Sequence, residues 1–240
     1  MPQGAADDMS FFNINHAAVD TVIFDFDGTL AELNIDFDQM RSAIGDLISR
    51  FGIDQQNLRH RYVLETIEEA GALIQKSSHR KYRSFADESR RIIESIEVEA
   101  ALRGKLFSTT KGLLAVLNER NIRAGIITRN CIRAVQTVFP DISSYCTVVV
   151  CRNDVKQVKP HPEHLNLALS RLGSTANRSI MIGDHPLDIE TGRNAGTMAA
   201  GVLSGHFLEE DFIRAGADLI LPQASHILKL LSPPLSANHL

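Results

Sequence analysis

Six short apolar runs punctuate the chain: TVIFDF at 21–26, IRAGIIT at 122–128, CTVVVC at 146–151, SIMIGD at 179–184, MAAGV at 198–202 and ADLIL at 217–221. Each has strand length and is apolar throughout rather than alternating, the pattern of a strand buried on both faces. Most are separated by segments with helical spacing: GLLAVLNER (112–120), RAVQTVF (133–139), HLNLALSRL (164–172) and PLDIETGRNA (186–195). Buried strands alternating with helices predict an α/β fold, a doubly wound and mostly parallel sheet covered by helices on both sides.

One segment breaks the alternation. Residues 33–107 contain no convincing strand, only long charged stretches with apolar residues at helical spacing. In FDQMRSAIGDLISRF the pattern places Phe37, Met40, Ile44, Leu47, Ile48 and Phe51 on one face. LRHRYVLETIEEAGALIQ and FADESRRIIESIEVEAALR continue the style, which predicts a helical insertion with its own small core. The resulting division is an α/β core over 19–32 and 108–225, a helical insertion over 33–107, and tails at 1–18 and 232–240.

Composition narrows the function classes. Of the 240 residues, 44% are hydrophobic and 22% charged, as in an ordinary globular protein. The net charge of −4 gives no support to general nucleic-acid binding, which shows as a basic excess. The insertion balances twelve basic against twelve acidic residues. No apolar run approaches the length of a membrane span. The start, MPQGAADDMS, has neither a basic n-region nor an apolar h-region. Three cysteines, Cys131, Cys146 and Cys151, form no CxxC pair and read as reduced structural thiols. A cytoplasmic protein is the expectation.

In open α/β sheets ligands sit beyond the carboxyl ends of the strands, so polar residues there are site candidates before any motif is considered. The first apolar strand ends in Asp25 and Asp27, followed by Gly28 and Thr29. The 122–128 strand ends in Thr128, with Arg129 and Asn130 beyond it. Lys159 lies in the VKPHPEH loop after CTVVVC. The 179–184 run ends in Asp184, and Asp188 follows at the start of a helix opened by Pro186. Hard carboxylate oxygens suit Mg²⁺, with Asp25 and Asp184 as ligands and Asp188 orienting coordinating groups. Such an ion offsets the repulsion of the paired aspartates and neutralises phosphate oxygens. Thr128 and Lys159 suit phosphoryl oxygens, a carboxylate can act as nucleophile, and Asp27 can handle the leaving group's proton. Taken singly, Asp188 is equally a helix-start charge, Thr128 a cap and Lys159 a solvated lysine. Their joint order along the chain favours catalysis.

The same residues resemble the four motifs of the haloacid dehalogenase superfamily, in its phosphatase branch. DFDGTL (25–30) is similar to the first motif, Thr128 in ITRN to the second, Lys159 in VKPHPE to the third, and GDHPLD (183–188) to the fourth. The likeness extends over about residues 20–205 and is nearest to the phosphoglycolate phosphatase-like group. It implies a Rossmann-like core with a helical cap domain inserted after the first strand. It implies Asp25 as nucleophile, Asp27 as general acid and base, and Mg²⁺ held by Asp25, the Asp27 main-chain carbonyl and Asp184, with Asp188 in the metal site. Gly28, Thr29, Arg129 and Asn130 become the substrate-binding candidates. Asp27 favours phosphate esters over carbon–halogen or carbon–phosphorus bonds, whose cleavage needs no protonated alcohol.

Two departures fall where substrate and cap meet the core: AELNID follows DGTL, and Arg129 stands between Thr128 and Asn130. The candidates for substrate selection are therefore Arg129 and the insertion's basic groups Arg59, His60, Arg61, His79, Arg80, Lys81 and Arg83, with His185 a candidate for lining the site. His161, His164 and His185 form no recognisable ligand set. The expected activity is Mg²⁺-dependent hydrolysis of a small phosphorylated metabolite by a monomer or homodimer. The alternatives are a sugar-phosphate mutase of the same fold, a receiver-like signalling domain and a catalytically silent binding protein. The signalling reading fits poorly, because receiver domains are shorter and carry the phospho-accepting aspartate on a later strand.

Overall fold

A computed structural model describes residues 11–14, 17–60 and 62–231. Its strands are β1 (Phe12–Ile14), β2 (Ala17–Val19), β3 (Thr21–Phe24), β4 (Ala31–Glu32), β5 (Lys105–Leu106), β6 (Arg123–Ile127), β7 (Val148–Val150), β8 (Ser179–Gly183), β9 (Met198–Val202) and β10 (Leu219–Leu221). The α-helices are α1 (Phe37–Arg50), α2 (Val63–Ser77), α3 (His79–Ala101), α4 (Thr110–Glu119), α5 (Ile132–Val138), α6 (Pro162–Leu172), α7 (Pro186–Ala195) and α8 (Glu209–Ala215). The chain divides into two compact units, one formed by Leu33–Gly104 and the other by the sequence on either side of it.

In the discontinuous unit a six-stranded sheet runs in the order β10-β9-β8-β3-β6-β7, with every neighbouring pair parallel. Each strand grew from one of the six apolar runs. The two central ones, β3 and β8, are buried at every position, which is why neither shows polar alternation. On one side Leu165, Ala168 and Leu169 of α6 pack against Ile23, Ile127, Val148 and Met181. Elsewhere Ile189 of α7 and Phe212 of α8 cluster with Ala199 of β9. The chain steps from β3 to β6 and β7, then returns across β3 to β8. The order therefore reverses between β3 and β8, and their carboxyl ends flank a topological switch point.

Three features differ from the sequence-based expectation. The leading segment expected as a tail contains a hairpin, β1 paired with β2, and the buried Phe12 bridges to Leu231. The rest of the expected tails, 1–10, 15–16 and 232–240, lies outside the described residues. Residues 105–106, assigned by pattern to the insertion, instead form β5 and pair antiparallel with β4, so that Leu106 faces Ala31. The ordered chain also continues past 225 in a 3₁₀ segment, Ala224–Leu230.

The Leu33–Gly104 unit holds α1, α2 and α3. Asp36 caps α1 by accepting the Gln39 N–H at 2.8 Å, and Ser78 caps α3 through the Lys81 N–H. Met40, Ile44, Leu47 and Ile48 of α1 are buried as the spacing predicts, and Phe51 packs edge-on against Phe85 at 5.4 Å. Phe37 does not join them. It sits at the first helical position and is 52% exposed. Among the described residues, no helix is long and apolar enough to cross a membrane.

Candidate active site

The loop leaving β3 carries the first acidic residues to the switch point. Asp25 extends the β3–β8 pairing, its N–H donating to Ile182 O at 2.8 Å, so its position is set by the sheet itself. The chain then turns sharply: Leu30 N–H and Ala31 N–H both donate to Phe26 O, and Gly28 N–H donates to Ala31 O at 2.7 Å. Gly28 has φ of 81°, a left-handed conformation costly for other residues. A Cβ there would also collide with the Asp184 carboxylate. Gly28 is thus required twice, by its torsion and by the neighbour that approaches it. Asp27 is half-buried on the same turn.

β8 delivers the second acidic group. Asp184 follows Gly183 directly, and Thr29 Oγ1 points at Asp184 Oδ1 over a long 3.4 Å. His185 then caps α7, its Nδ1 accepting the Leu187 N–H at 3.0 Å, and Pro186 opens the helix. Asp188 turns back from the first turn: its Oδ2 accepts the His185 N–H at 3.1 Å. Asp188 is thus a helix-start carboxylate whose other oxygen, Oδ1, accepts from Lys159 Nζ. His185 stacks edge-on against Phe207, ring centroids 4.3 Å apart.

Lys159 joins these elements. It is 3% exposed, and its Nζ lies 2.5 Å from Asp25 Oδ1 and 2.7 Å from Asp188 Oδ1. The reading of Lys159 as a solvated surface lysine is thereby excluded. Burial opposes its charge, but Asp188 and Asp25 outweigh that and hold its pKa above the usual lysine value. One ammonium does not balance the carboxylates. Burial, reinforced by the Asp188 charge, pushes Asp25 up to about 7 despite the lysine. Burial and the charges of Asp25, Asp188 and Asp27 push Asp184 up to about 8. Asp25, Asp184 and Asp188 each offer an oxygen within 4.8 Å of the others. This set is deficient in positive charge and rich in hard oxygen donors, which suits a divalent cation.

The residues just past β6 tie into the end of β7 and the lysine loop. Thr128 N–H donates to Val150 O at 3.0 Å, and Thr128 Oγ1 accepts the Asn130 N–H at 3.2 Å, a bond that uses a lone pair and not the hydroxyl proton. Arg129 Nη1 donates to Lys159 O at 3.1 Å, so this guanidinium buttresses the lysine loop. The basic residues of the insertion, Arg59, His60, His79, Arg80, Lys81 and Arg83, are exposed within their own unit; Arg61 lies outside the described residues.

Some supporting residues escaped the sequence reading. Arg152 donates from Nη1 to Arg129 O at 2.8 Å. Ser204 Oγ donates to Gly28 O at 2.7 Å, and Gly205 packs so closely that a Cβ on it would strike Asp184. All three lie just past the ends of apolar strands, at Cys151 and Val202, the position that singled out the acidic residues. His161 caps α6, accepting the Glu163 N–H at 3.2 Å, and His164 is fully buried.

This constellation has relatives. A family model described as haloacid dehalogenase-like hydrolase matches residues 22–202, a span that contains every strand-end residue above except Ser204 and Gly205. The pyrophosphatase PpaX of Bacillus pumilus is 27% identical, covering 91% of this chain and 99% of that protein. The N-acetylmuramic acid 6-phosphate phosphatase of Pseudomonas aeruginosa is 28% identical, covering 89% and 95%. Among solved structures, a hydrolase from Pseudomonas syringae superposes with a TM-score of 0.60 at 21% identity, over 88% of this chain and 99% of that one. CbbY from Rhodobacter sphaeroides, solved in complex with phosphate, gives 0.57 at 21% identity over 87% and 96%. These two likenesses concern the fold. The family match, spanning most of the sheet and the acidic strand ends it gathers, makes this chain a member of the haloacid dehalogenase-like hydrolase family.

Proposed function

We propose that this protein is a Mg²⁺-dependent phosphatase that hydrolyses phosphate monoesters of small metabolites through an aspartyl-phosphate on Asp25. The observation that carries the reading is the buried Lys159 ammonium held between Asp25 and Asp188, beside Asp184. In this reading an Asp25 oxygen attacks phosphorus, and the bond from phosphorus to the ester oxygen breaks. Asp27 gives its proton to the departing alkoxide, which leaves as the alcohol. Water then attacks the aspartyl-phosphate, Asp27 takes its proton, and inorganic phosphate is released with both aspartates restored. Thr128 donates its hydroxyl proton to a phosphoryl oxygen, and Lys159 offsets negative charge at the centre.

Asp25, the Asp27 main-chain carbonyl and Asp184 would hold Mg²⁺, with Asp188 beside them, and the ion would neutralise phosphoryl oxygens. Its charge also answers the upward push on Asp25, because a protonated carboxyl is a poor nucleophile. Gly28, Thr29, Arg129 and Asn130 line the phosphoryl end in this assignment. The Leu33–Gly104 unit is the cap. The full-length relatives support hydrolysis over the mutase alternative, since both bear names of hydrolytic enzymes.

The test is phosphate release from pyrophosphate, phosphoglycolate and sugar phosphates, with and without Mg²⁺, for wild type and Asp25→Asn. Release that needs Mg²⁺ and vanishes in the variant is expected. Equal activity in Asp25→Asn removes the nucleophile, and an isomerised sugar phosphate without free phosphate turns the reading to the mutase.

A further inference from the structure

His164 lies in the first turn of α6, fully buried, and the chemistry above leaves it unused. Its ring spans two backbone groups. Nε2 is 2.9 Å from Val150 O, and Nδ1 is 3.4 Å from the backbone nitrogen of Lys159, which donates to it. A carbonyl can only accept and an amide N–H can only donate. The two neighbours therefore fix the tautomer: the proton sits on Nε2 and a lone pair on Nδ1. A second ring proton would point at the Lys159 N–H.

Val150 O has another donor. Thr128 N–H meets the same carbonyl at 3.0 Å, where β6 and β7 run side by side. One carbonyl at the end of β7 thus ties the threonine directly and the lysine through the imidazole. The lysine loop has a further prop, Arg129 Nη1 on Lys159 O. His164 and Arg129 together hold the N–H and the C=O of the residue whose ammonium sits between Asp25 and Asp188.

We propose that His164 is a positioning residue: a permanently neutral Nε2–H imidazole that sets the backbone of Lys159 against the Val150 carbonyl, in register with Thr128. The inference concerns the lysine's placement, and its catalytic consequence rests on the phosphatase reading. Its surroundings agree with a neutral ring. Burial pushes the pKa down to about 4, and the Lys159 and Arg129 cations act in the same direction against the Val150 bond and Asp154.

Two measurements test it. Long-range ¹H–¹⁵N spectra of ¹⁵N-histidine-labelled wild type should show His164 as the Nε2–H tautomer, still neutral at about pH 5. An Nδ1–H tautomer, or a protonated ring at that pH, overturns the proposal whether or not any ester is hydrolysed. The second measurement compares His164→Leu with His164→Gln in phosphate release. Leucine fills the site but offers no polar atom, and kcat should fall roughly 10–100-fold with KM little changed. Glutamine supplies both an acceptor and a donor and should restore most of kcat. A folded His164→Leu protein with wild-type kcat sinks the idea. Should that variant not fold, the spectra and the glutamine variant decide. A wild type that releases no phosphate from any ester refutes the phosphatase reading while leaving the tautomer result to stand on its own.

Discussion

Lys159 Nζ and Asp188 Oδ1 lie 2.7 Å apart with side chains only 4% and 1% exposed, so the catalytic candidates are held by an ion pair sealed from solvent. Removing one partner of a buried pair leaves an uncompensated charge. In the metal-free protein Lys159→Met should therefore cost about 3–5 kcal/mol in urea unfolding, with Mg²⁺ recovering part of it. A loss under about 1 kcal/mol would mean that the carboxylates take up protons in place of the lysine's charge.

Gly28→Ala tests the tight turn. The backbone torsion alone costs about 1–3 kcal/mol for a residue with a side chain, and the added methyl falls on the Asp184 carboxylate. Thermal unfolding should shift downward, and calorimetric titration should show weaker Mg²⁺ binding together with lost phosphate release. Unchanged Mg²⁺ affinity would show that Asp184 has room to move aside.

The buried imidazole predicts a pH dependence of definite sign. The folded pKa of His164 is about 4, below the ordinary value of 6.5. Between these values the unfolded chain binds the extra proton, so stability falls as pH drops from about 6.5 towards 4. Carboxylates contribute over the same range, so the informative quantity is the difference from His164→Gln. The variant's Tm should decline less than the wild type's from pH 7 to pH 4.5. Parallel curves would show that His164 charges freely in the folded protein.

At the opposite ends of the same strands, Asp20 supplies a control. It is 2% exposed, accepts from the Thr21 hydroxyl at 2.8 Å and Arg178 Nε at 2.7 Å, and pairs with Arg123 at 3.4 Å. Its N–H and C=O bond to Arg178 and Arg123, fastening the starts of β8 and β6 to β3. Asp20→Ala should destabilise by about 1–3 kcal/mol, because the partly exposed arginines can regain water. Phosphate release should keep its kcat, KM and Mg²⁺ dependence; a changed metal dependence would contradict a purely structural role.

The parallel sheet was legible because a strand buried on both faces must be apolar at every position, and six such runs stand out. The acidic residues were legible for a related reason: Asp25 and Asp184 are polar residues placed where apolar strands end, whereas Lys159, in the loop between β7 and α6, was legible through its VKPHPE motif. The β1–β2 hairpin was not, since FNI and AAV are too short to show a period. α8 escaped for the same reason, a seven-residue helix beginning with three acidic residues. Phe37 fitted the helical spacing yet lies at a helix start where its own unit does not cover it. Ser204 and Gly28 are 176 positions apart, and His164 acts on backbone atoms, which leave no trace in residue identity.

The sheet order has a consequence for the growing chain. β3 emerges first among the six core strands, yet its neighbours β6 and β8 are synthesised only after residues 122 and 178. During that interval the contiguous Leu33–Gly104 segment already contains all the sequence its own helices need. The nascent protein thus carries the whole sequence of one unit together with an apolar strand whose sheet neighbours have not yet been made, a state open to aggregation. Asp25 gains its lysine partner only when residue 159 is available, and its acidic neighbour only at 184. The set of Asp25, Lys159, Asp184 and Asp188 therefore cannot come together before residue 188 is made, and a chain stalled before that point would carry the first aspartates without the partners that surround them.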